Sequence, residues 1–152
     1  MVSNIIFELK GLRTYEAVDI KALQKLSVEL AKKIERGGTL LLHGDVGAGK
    51  TLVCKFIIDF LCGCEAVSPT FNILLTYKAL SGITVYHYDL YRVKAAYELH
   101  ELGFEHSLEE GITLIEWPEI ALSKIPKDAI HLEIKPCKDD NLRKIYIRNL
   151  DR

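Results

Sequence analysis

The sequence contains the stretch Gly44-Asp45-Val46-Gly47-Ala48-Gly49-Lys50-Thr51, which matches the pattern G-x-x-x-x-G-K-[ST] at every fixed position. Residues 39–42 precede this stretch and form a short β-compatible run, which is typical of a buried parallel strand. Residues 50–61 follow it and carry apolar side chains at helical spacing. Strand, loop and helix therefore come in the order of a phosphate-binding P-loop.

The residue types of this loop suit a bound phosphate chain. Its glycines let the backbone fold around a diphosphate, so that successive N–H groups and the helix N-terminus point at the anion. Lys50 adds a positive charge, and the hydroxyl of Thr51 can be a ligand of Mg²⁺. The predicted phosphate-binding residues are Asp45, Val46, Gly47, Ala48, Gly49, Lys50 and Thr51.

Length and composition narrow the class of protein. The chain has 152 residues, 49% of them hydrophobic, which predicts a single domain over 1–152 with a full core. Apolar runs stay well short of the ~20 residues of a membrane span, and residues 1–10 lack a signal-peptide pattern, so we expect a cytoplasmic protein without membrane association. The net charge of −1 excludes a strongly basic nucleic-acid-binding domain. The cysteines form no zinc or redox signature and are expected to be buried thiols.

Negative charge is concentrated in one part of the chain. Lys and Arg are absent between Lys94 and Lys124, whereas glutamates are frequent there. Two interpretations stay open, a solvated acidic helix face and a docking surface for a basic partner. The glutamates are Glu98, Glu101, Glu105, Glu109, Glu110, Glu116 and Glu119.

A strand and an amphipathic helix are predicted ahead of the loop. Residues 4–7 are a short strand candidate. Asp19 is a suitable N-cap for a helix that carries apolar residues on one face and ends near the glycines at 37–38. This helix leads directly into the strand of the P-loop.

The segment Ser68-Pro69-Thr70-Phe71 follows the P-loop helix, which Gly63 ends. Pro69 keeps Ser68 out of the α region, so the segment is extended or a turn. In P-loop NTPases a segment at this place often brings a hydroxyl to the γ-phosphate and Mg²⁺. Thr70 is positioned to do so, and an ordinary turn is the alternative.

The remaining strands complete an α/β fold. Residues 72–78 and 83–88 are strands joined by a hairpin at Ser81-Gly82, and residues 95–102 are helical. Residues 129–134 and 143–150 are predicted to form a C-terminal antiparallel pair. The predicted fold is a P-loop NTPase with a mixed, mainly parallel sheet, flanked by helices and ending in antiparallel strands.

Two strands end in a carboxylate that could serve as the Walker B residue. The strand at 83–88 is followed by Asp89, and the buried strand at 112–115 is followed by Glu116. Both carboxylates are expected at the edge of the sheet that faces the ligand, where such a group helps to hold Mg²⁺. Residue chemistry alone does not rank them. Arg92 is a candidate phosphate ligand, and Trp117 either caps the site or fills the core.

Five separated motifs together resemble the TsaE family of bacterial ATPases that serve threonylcarbamoyladenosine formation on tRNA. They are GDVGAGKT, SPTF, HYDLYR, ELHELGFE and LIEWPE, in the family's order and approximate spacing, between residues 37 and 119. The resemblance implies a small ATPase that uses ATP and Mg²⁺ and works with the TsaB and TsaD proteins. Another enzyme of the pathway makes the threonylcarbamoyl-adenylate, and tRNA is met indirectly through the TsaB–TsaD complex.

The resemblance also assigns residue roles. It implies that Thr51 and Glu116 contact Mg²⁺, which favours Glu116 as the Walker B residue, and that Thr70 and Asp89 are catalytic or switch positions. Trp117 is a further switch or catalytic position. Adenine contacts are implied near residues 19–23 and at Arg143. The departures from the family, Val46 for the common Leu and Leu52 after Thr51, remove no phosphate or metal ligand.

A small-molecule or nucleotide kinase is the alternative function. Such kinases bring several arginines to clamp the transferred phosphoryl group, whereas Arg92 is the only arginine between the P-loop and Lys124. The same scarcity leaves no arginine finger in evidence. We therefore expect the isolated chain to hydrolyse ATP slowly and to depend on partner proteins.

Overall fold

The computed structural model describes residues 5–9, 11–69 and 71–150. In this part of the chain eight strands and four α-helices make up an α/β fold. They are β1 (Ile5–Leu9), β2 (Leu12–Val18), α1 (Ile20–Ile34), β3 (Gly38–His43), α2 (Lys50–Cys62), β4 (Leu74–Lys78), β5 (Thr84–Asp89), α3 (Tyr97–Glu101), α4 (Phe104–Glu110), β6 (Ile112–Glu116), β7 (Ile130–Pro136) and β8 (Arg143–Arg148), with a 3-10 helix at Pro118–Lys124.

The strands form one mixed sheet in the order β1-β2-β8-β7-β3-β6-β5-β4. Its four central strands, β7, β3, β6 and β5, are parallel to one another. Both margins are antiparallel: β4 pairs with β5, and β8, β2 and β1 continue the sheet beyond β7. The predicted mixed sheet with C-terminal antiparallel strands is confirmed, and its parallel part is the centre.

Strand β3 is buried on both faces because helices cover the middle of the sheet. Leu40, Leu41 and Leu42 have no exposed surface. Successive side chains of a strand point to opposite faces, so Leu40 and Leu42 join the core cluster that includes α1 and α2 residues. Leu41 joins the cluster that includes Leu99 of α3 and Phe104 of α4. This two-sided burial is the reason for the continuous apolar run before the loop.

Helix α1 begins where its sequence predicts. The Asp19 side chain accepts a hydrogen bond of 2.8 Å from the backbone N–H of Ala22, which satisfies one of the free donors of the first turn. Helix α2 ends at Gly63, whose φ of 63° is left-handed. None of the described helices is long and apolar enough to cross a membrane.

Strand β2, helix α4 and the 3-10 helix were not predicted from the sequence. In β2 the pairing with β8 shifts register between Tyr15 and Val18, and Ala17 has a φ of 54°, so the apolar alternation of a regular strand is broken. The predicted helix at 95–102 is shorter, because residues 95 and 96 form a bend and a turn before α3 begins at Tyr97. Gly103, at φ 69°, separates α3 from α4. Of the cysteines expected to be buried, Cys64 is exposed, since it follows the end of α2, and Cys137, after β7, is only partly buried.

Candidate functional site

The loop between β3 and α2 has a backbone conformation that favours glycine at three positions. Gly44, Gly47 and Gly49 have φ angles of 151°, 79° and 116°. A Cβ at Gly44 would lie 2.9 Å from the carbonyl oxygen of Ile134, so the loop runs close over β7. The glycines of the motif thus set the path of the loop.

The N-terminus of α2 opens into the main cavity of the site. Gly49 occupies the N-cap and has no side chain that could accept hydrogen bonds from the N–H groups of the first turn. The helical hydrogen bonds begin with the N–H of Val53, which donates to the carbonyl oxygen of Gly49 at 3.1 Å. Unused N–H groups at a helix N-terminus attract an anion. The cavity measures about 360 Å³ and is lined by Val46, Gly47, Ala48, Gly49, Lys50, Thr51, Leu52, Asp89, Tyr91, Glu116 and Trp117.

The Lys50 ammonium is held at the inner wall of this cavity. It donates hydrogen bonds to the carbonyl oxygens of Gly44 and Asp45, the second at 3.0 Å, and lies 3.9 Å from the centre of the Trp117 ring. Burial lowers the pKa of Lys50, against the opposite effect of the nearby Glu116 and other carboxylates. The group is therefore a partly desolvated cation, poised to meet an anionic ligand.

Trp117 forms a wall of the cavity and is not a core residue. Its φ of 55° is left-handed, and its ring contacts that of Tyr91 with the centroids 4.8 Å apart. Of the two interpretations that the sequence left open, the structure supports the one that places Trp117 at the site.

The structure brings Thr51 and Glu116 together. Glu116 ends β6 with 2% of its surface exposed, and its Oε1 accepts a hydrogen bond of 2.7 Å from the Thr51 hydroxyl. Its Oε2 lies 2.6 Å from Nε2 of His87. A hydroxyl and a carboxylate side by side at the N-terminus of α2 are oxygen ligands of the kind that Mg²⁺ prefers, so these residues fit that ion.

Asp89 ends β5 and lies opposite Glu116 in the parallel register of β5 and β6. Its Oδ1 accepts a hydrogen bond of 3.0 Å from the backbone N–H of Tyr91. Burial raises the pKa of the Asp89 carboxyl, and the Tyr91 N–H opposes that shift. The side chain is half-buried and borders the cavity, so it can contact a ligand or a water molecule there.

The remaining two predicted site residues are Thr70 and Arg143. Thr70 lies outside the described residues, while its neighbours Pro69 and Phe71 line a second cavity of about 200 Å³ together with Asp89 and Arg92. Arg143, at the start of β8, donates from Nε to the carbonyl oxygen of Ala48 at 3.0 Å. Its guanidinium therefore supports the loop backbone directly.

His87 and Tyr91 belong to the site, and the sequence assigned neither of them a role. His87 is fully buried and bonds Glu116, whereas Tyr91 lines the cavity beside Trp117. A signal for His87 was available, because residues two apart on a strand share a face and His87 precedes Asp89 by two. The sequence does not show that Glu116 lies on the adjacent strand, so the hydrogen bond between His87 and Glu116 could not be predicted from it.

The chain is similar to known proteins over most of its length. Residues 17–145 match the family model described as Threonylcarbamoyl adenosine biosynthesis protein TsaE. The chain is 45% identical over 122 residues to the tRNA threonylcarbamoyladenosine biosynthesis protein TsaE of Rickettsia conorii, covering 79% of this chain and 69% of that protein. The protein of the same name from Bacillus subtilis is 34% identical over 130 residues, with 84% and 78% covered.

The fold is similar to that of a solved structure. The crystal structure of Bacillus subtilis YdiB superposes with a TM-score of 0.71 and 25% sequence identity, over 93% of this chain and 87% of that one. The family match spans the P-loop, the ends of β5 and β6, and Arg143 at the start of β8. This chain therefore belongs to the TsaE family.

Proposed function

We propose that this protein is an Mg²⁺-dependent ATPase that supports the formation of threonylcarbamoyladenosine on tRNA. The observation that carries the proposal is the hydrogen bond of 2.7 Å between Thr51 and Glu116 at the open N-terminus of α2. This hydrogen bond joins a P-loop hydroxyl and a strand-end carboxylate, the two kinds of side chain that hold Mg²⁺ in P-loop ATPases. The backbone amides that bind the phosphates in such enzymes lie beside them. Family membership favours this function over a small-molecule kinase.

In the proposed complex the loop holds the phosphates of ATP. The backbone N–H groups of residues 45–51 and the Lys50 ammonium neutralise the phosphate oxygens. Thr51 and Glu116 hold Mg²⁺, which supplies charge stabilisation to the transferred phosphoryl group. Arg143 is proposed as a nucleotide contact, since its guanidinium lies against the loop at Ala48.

Asp89 is proposed to act on the attacking water. Its half-buried carboxylate borders both the main cavity and the smaller one beside it, so a water molecule can reach it while phosphates occupy the loop. Thr70 is proposed, on the family resemblance alone, to contact the γ-phosphate side of the same site.

The proposed partners are the TsaB and TsaD proteins, with tRNA reached through their complex. A partner can shift the state of this site only by binding its ATP and ADP forms differently. We therefore expect the TsaB–TsaD complex to bind more tightly when a non-hydrolysable ATP analogue is present than when ADP is. Titration calorimetry in each nucleotide state tests this, and equal affinities would exclude a nucleotide-controlled interaction.

The activity itself is tested by phosphate release. The wild type is assayed with ATP and Mg²⁺, alone and with the purified TsaB–TsaD complex, beside Lys50→Ala. The proposal predicts slow release by the chain alone, faster release with the complex, and none above background for Lys50→Ala. Equal release by wild type and Lys50→Ala would show that the P-loop is not the site of hydrolysis.

A further inference from the structure

We infer that His87 is the positioning residue for Glu116, holding its carboxylate in the orientation in which it serves Mg²⁺; the inference rests on the proposed function. Glu116 is anchored at both oxygens, Oε1 by the Thr51 hydroxyl at 2.7 Å and Oε2 by His87 Nε2 at 2.6 Å. A carboxylate held at both ends cannot turn about its last bond without breaking one of these contacts. Its orientation is thus set by Thr51, which lines the cavity, and by the fully buried His87.

The direction of the His87 hydrogen bond follows from the chemistry of its partner. An ionised carboxylate only accepts hydrogen bonds, so Nε2 carries the proton and donates it. The side chains are 0% and 2% exposed, so water does not replace either partner. Nδ1 of the same ring has no hydrogen-bond partner among the described residues. Among the described residues, the ring of His87 therefore forms its hydrogen bond to Glu116 alone, through Nε2.

A third group, the thiol of Cys54, lies in the same buried cluster. Its sulfur and the ligand atoms of His87 and Glu116 all lie within 4.8 Å of one another. Burial, with the charges of Glu116 and Asp89 adding to it, raises the pKa of the Cys54 thiol well above its ordinary value. Cys54 is therefore a buried neighbour of the His87–Glu116 pair, and a Cys54→Ala variant measures whether the thiol contributes to metal binding.

This arrangement has a measurable consequence. Removing a group that orients a metal ligand typically lowers metal affinity about 10- to 100-fold. A side chain at position 87 should restore that affinity only if it places a donor at the position of Nε2. Glutamine does so, because its amide nitrogen is as many bonds from Cα as Nε2 is. The amide nitrogen of asparagine is one bond shorter and falls at the position of Nδ1.

The experiment compares His87→Gln with His87→Asn. Electron paramagnetic resonance measures Mn²⁺ binding to each variant with a non-hydrolysable ATP analogue present, and thermal unfolding verifies that each is folded. We expect His87→Gln to keep Mn²⁺ affinity within about threefold of the wild type and His87→Asn to lose about tenfold or more. Binding of the analogue without metal should be the same in both. Cys54→Ala is the matched control and should bind Mn²⁺ as the wild type does.

Each other outcome overturns the inference in a distinct way. Wild-type affinity in His87→Asn would show that the donor is not needed, and equal losses in folded Asn and Gln variants would show that the ring acts only by packing. If His87→Asn does not fold, loss of affinity in a folded His87→Gln still contradicts the inference. A large loss in Cys54→Ala would mean that the thiol is itself a metal ligand. If the wild type binds no Mn²⁺ with the nucleotide, the proposed function fails first.

Discussion

The ends of β5 and β6 carry the same chemical group in very different surroundings. Asp89 and Glu116 are opposite one another in register, and each is the last residue of a parallel strand. Glu116 is buried and bonded at both oxygens to Thr51 and His87. Asp89 is half-buried and bonds the backbone of its own following loop, at Tyr91.

The difference comes from the place of each strand in the sheet. Strand β6 lies directly beside β3, the strand that leads into the loop, so its end meets the first turn of α2. Strand β5 is one position further out, with β4 beyond it at the edge. This difference in position supports the proposed roles, in which the inner carboxylate, Glu116, holds the metal ion and the outer one, Asp89, acts on the attacking water.

The largest effect is expected from removing the cation that both carboxylates face. Lys50→Ala should lower nucleotide affinity about 10- to 100-fold and abolish turnover, because the phosphates lose a charge-assisted donor. Calorimetric titration with ADP and with an ATP analogue measures the loss. Lys50→Arg, which keeps the charge but not the shape, is the control and should retain part of the affinity. Unchanged affinity in Lys50→Ala would refute the assignment of the loop.

The next effect concerns the inner carboxylate. Glu116→Gln should reduce turnover about 100- to 1,000-fold, since it removes a negative ligand from the ion proposed to stabilise the transferred phosphoryl group. It should also raise the Mg²⁺ concentration needed for half-maximal turnover, while ATP binding without metal stays the same. Turnover measured across Mg²⁺ concentrations decides this, and a variant with normal turnover at limiting Mg²⁺ would remove Glu116 from the metal site.

A smaller effect is expected at the outer carboxylate. Asp89→Asn keeps the size of the side chain and the acceptor for the Tyr91 N–H, but loses the charge that would attract a proton from water. Turnover should fall about 100-fold, the lower limit of what a positioned general base contributes, with the Mg²⁺ concentration needed for half-maximal turnover within about twofold of the wild type. If this variant needs excess metal and the Glu116 variant does not, the two roles are reversed.

The smallest effect concerns a titratable pair of histidines on β3 and β7. His43 ends β3, and its ring stacks on His131 of β7, with His43 Nε2 3.1 Å from His131 Nδ1. Burial lowers the pKa of both histidines, with the charge of Arg148 acting in the same direction. The unfolded chain then binds more protons than the native one below about pH 6.5, so stability is lost as the pH falls through that range.

Thermal unfolding at pH 7.5 and at pH 5.5 measures this contribution. His131→Gln should reduce the drop in Tm between the two pH values by roughly 1 to 3 °C. His106, whose side chain is exposed, provides the control: His106→Gln should leave the drop unchanged. An unchanged drop in His131→Gln would show that the pair does not control acid stability.

The sequence predicts best those features of the fold and the site that depend on a few adjacent residues. The loop needs glycines at left-handed φ, the strand before it is apolar because both faces are covered, and Asp19 caps α1; each is visible in a few adjacent residues. The contact of His87 with Glu116 joins residues 29 apart, and that of Arg143 with Ala48 joins residues 95 apart. Such contacts depend on strand order, which no local pattern contains.

We propose that Glu116, and not Asp89, holds the metal ion. A crystal structure with Mn²⁺ and a non-hydrolysable ATP analogue, using the anomalous signal of manganese, distinguishes the two. We predict one peak about 2.1 Å from Oγ1 of Thr51, closer to the carboxylate of Glu116 than to that of Asp89. A peak bonded to Asp89, with the hydrogen bond between Thr51 and Glu116 left intact, would contradict the claim.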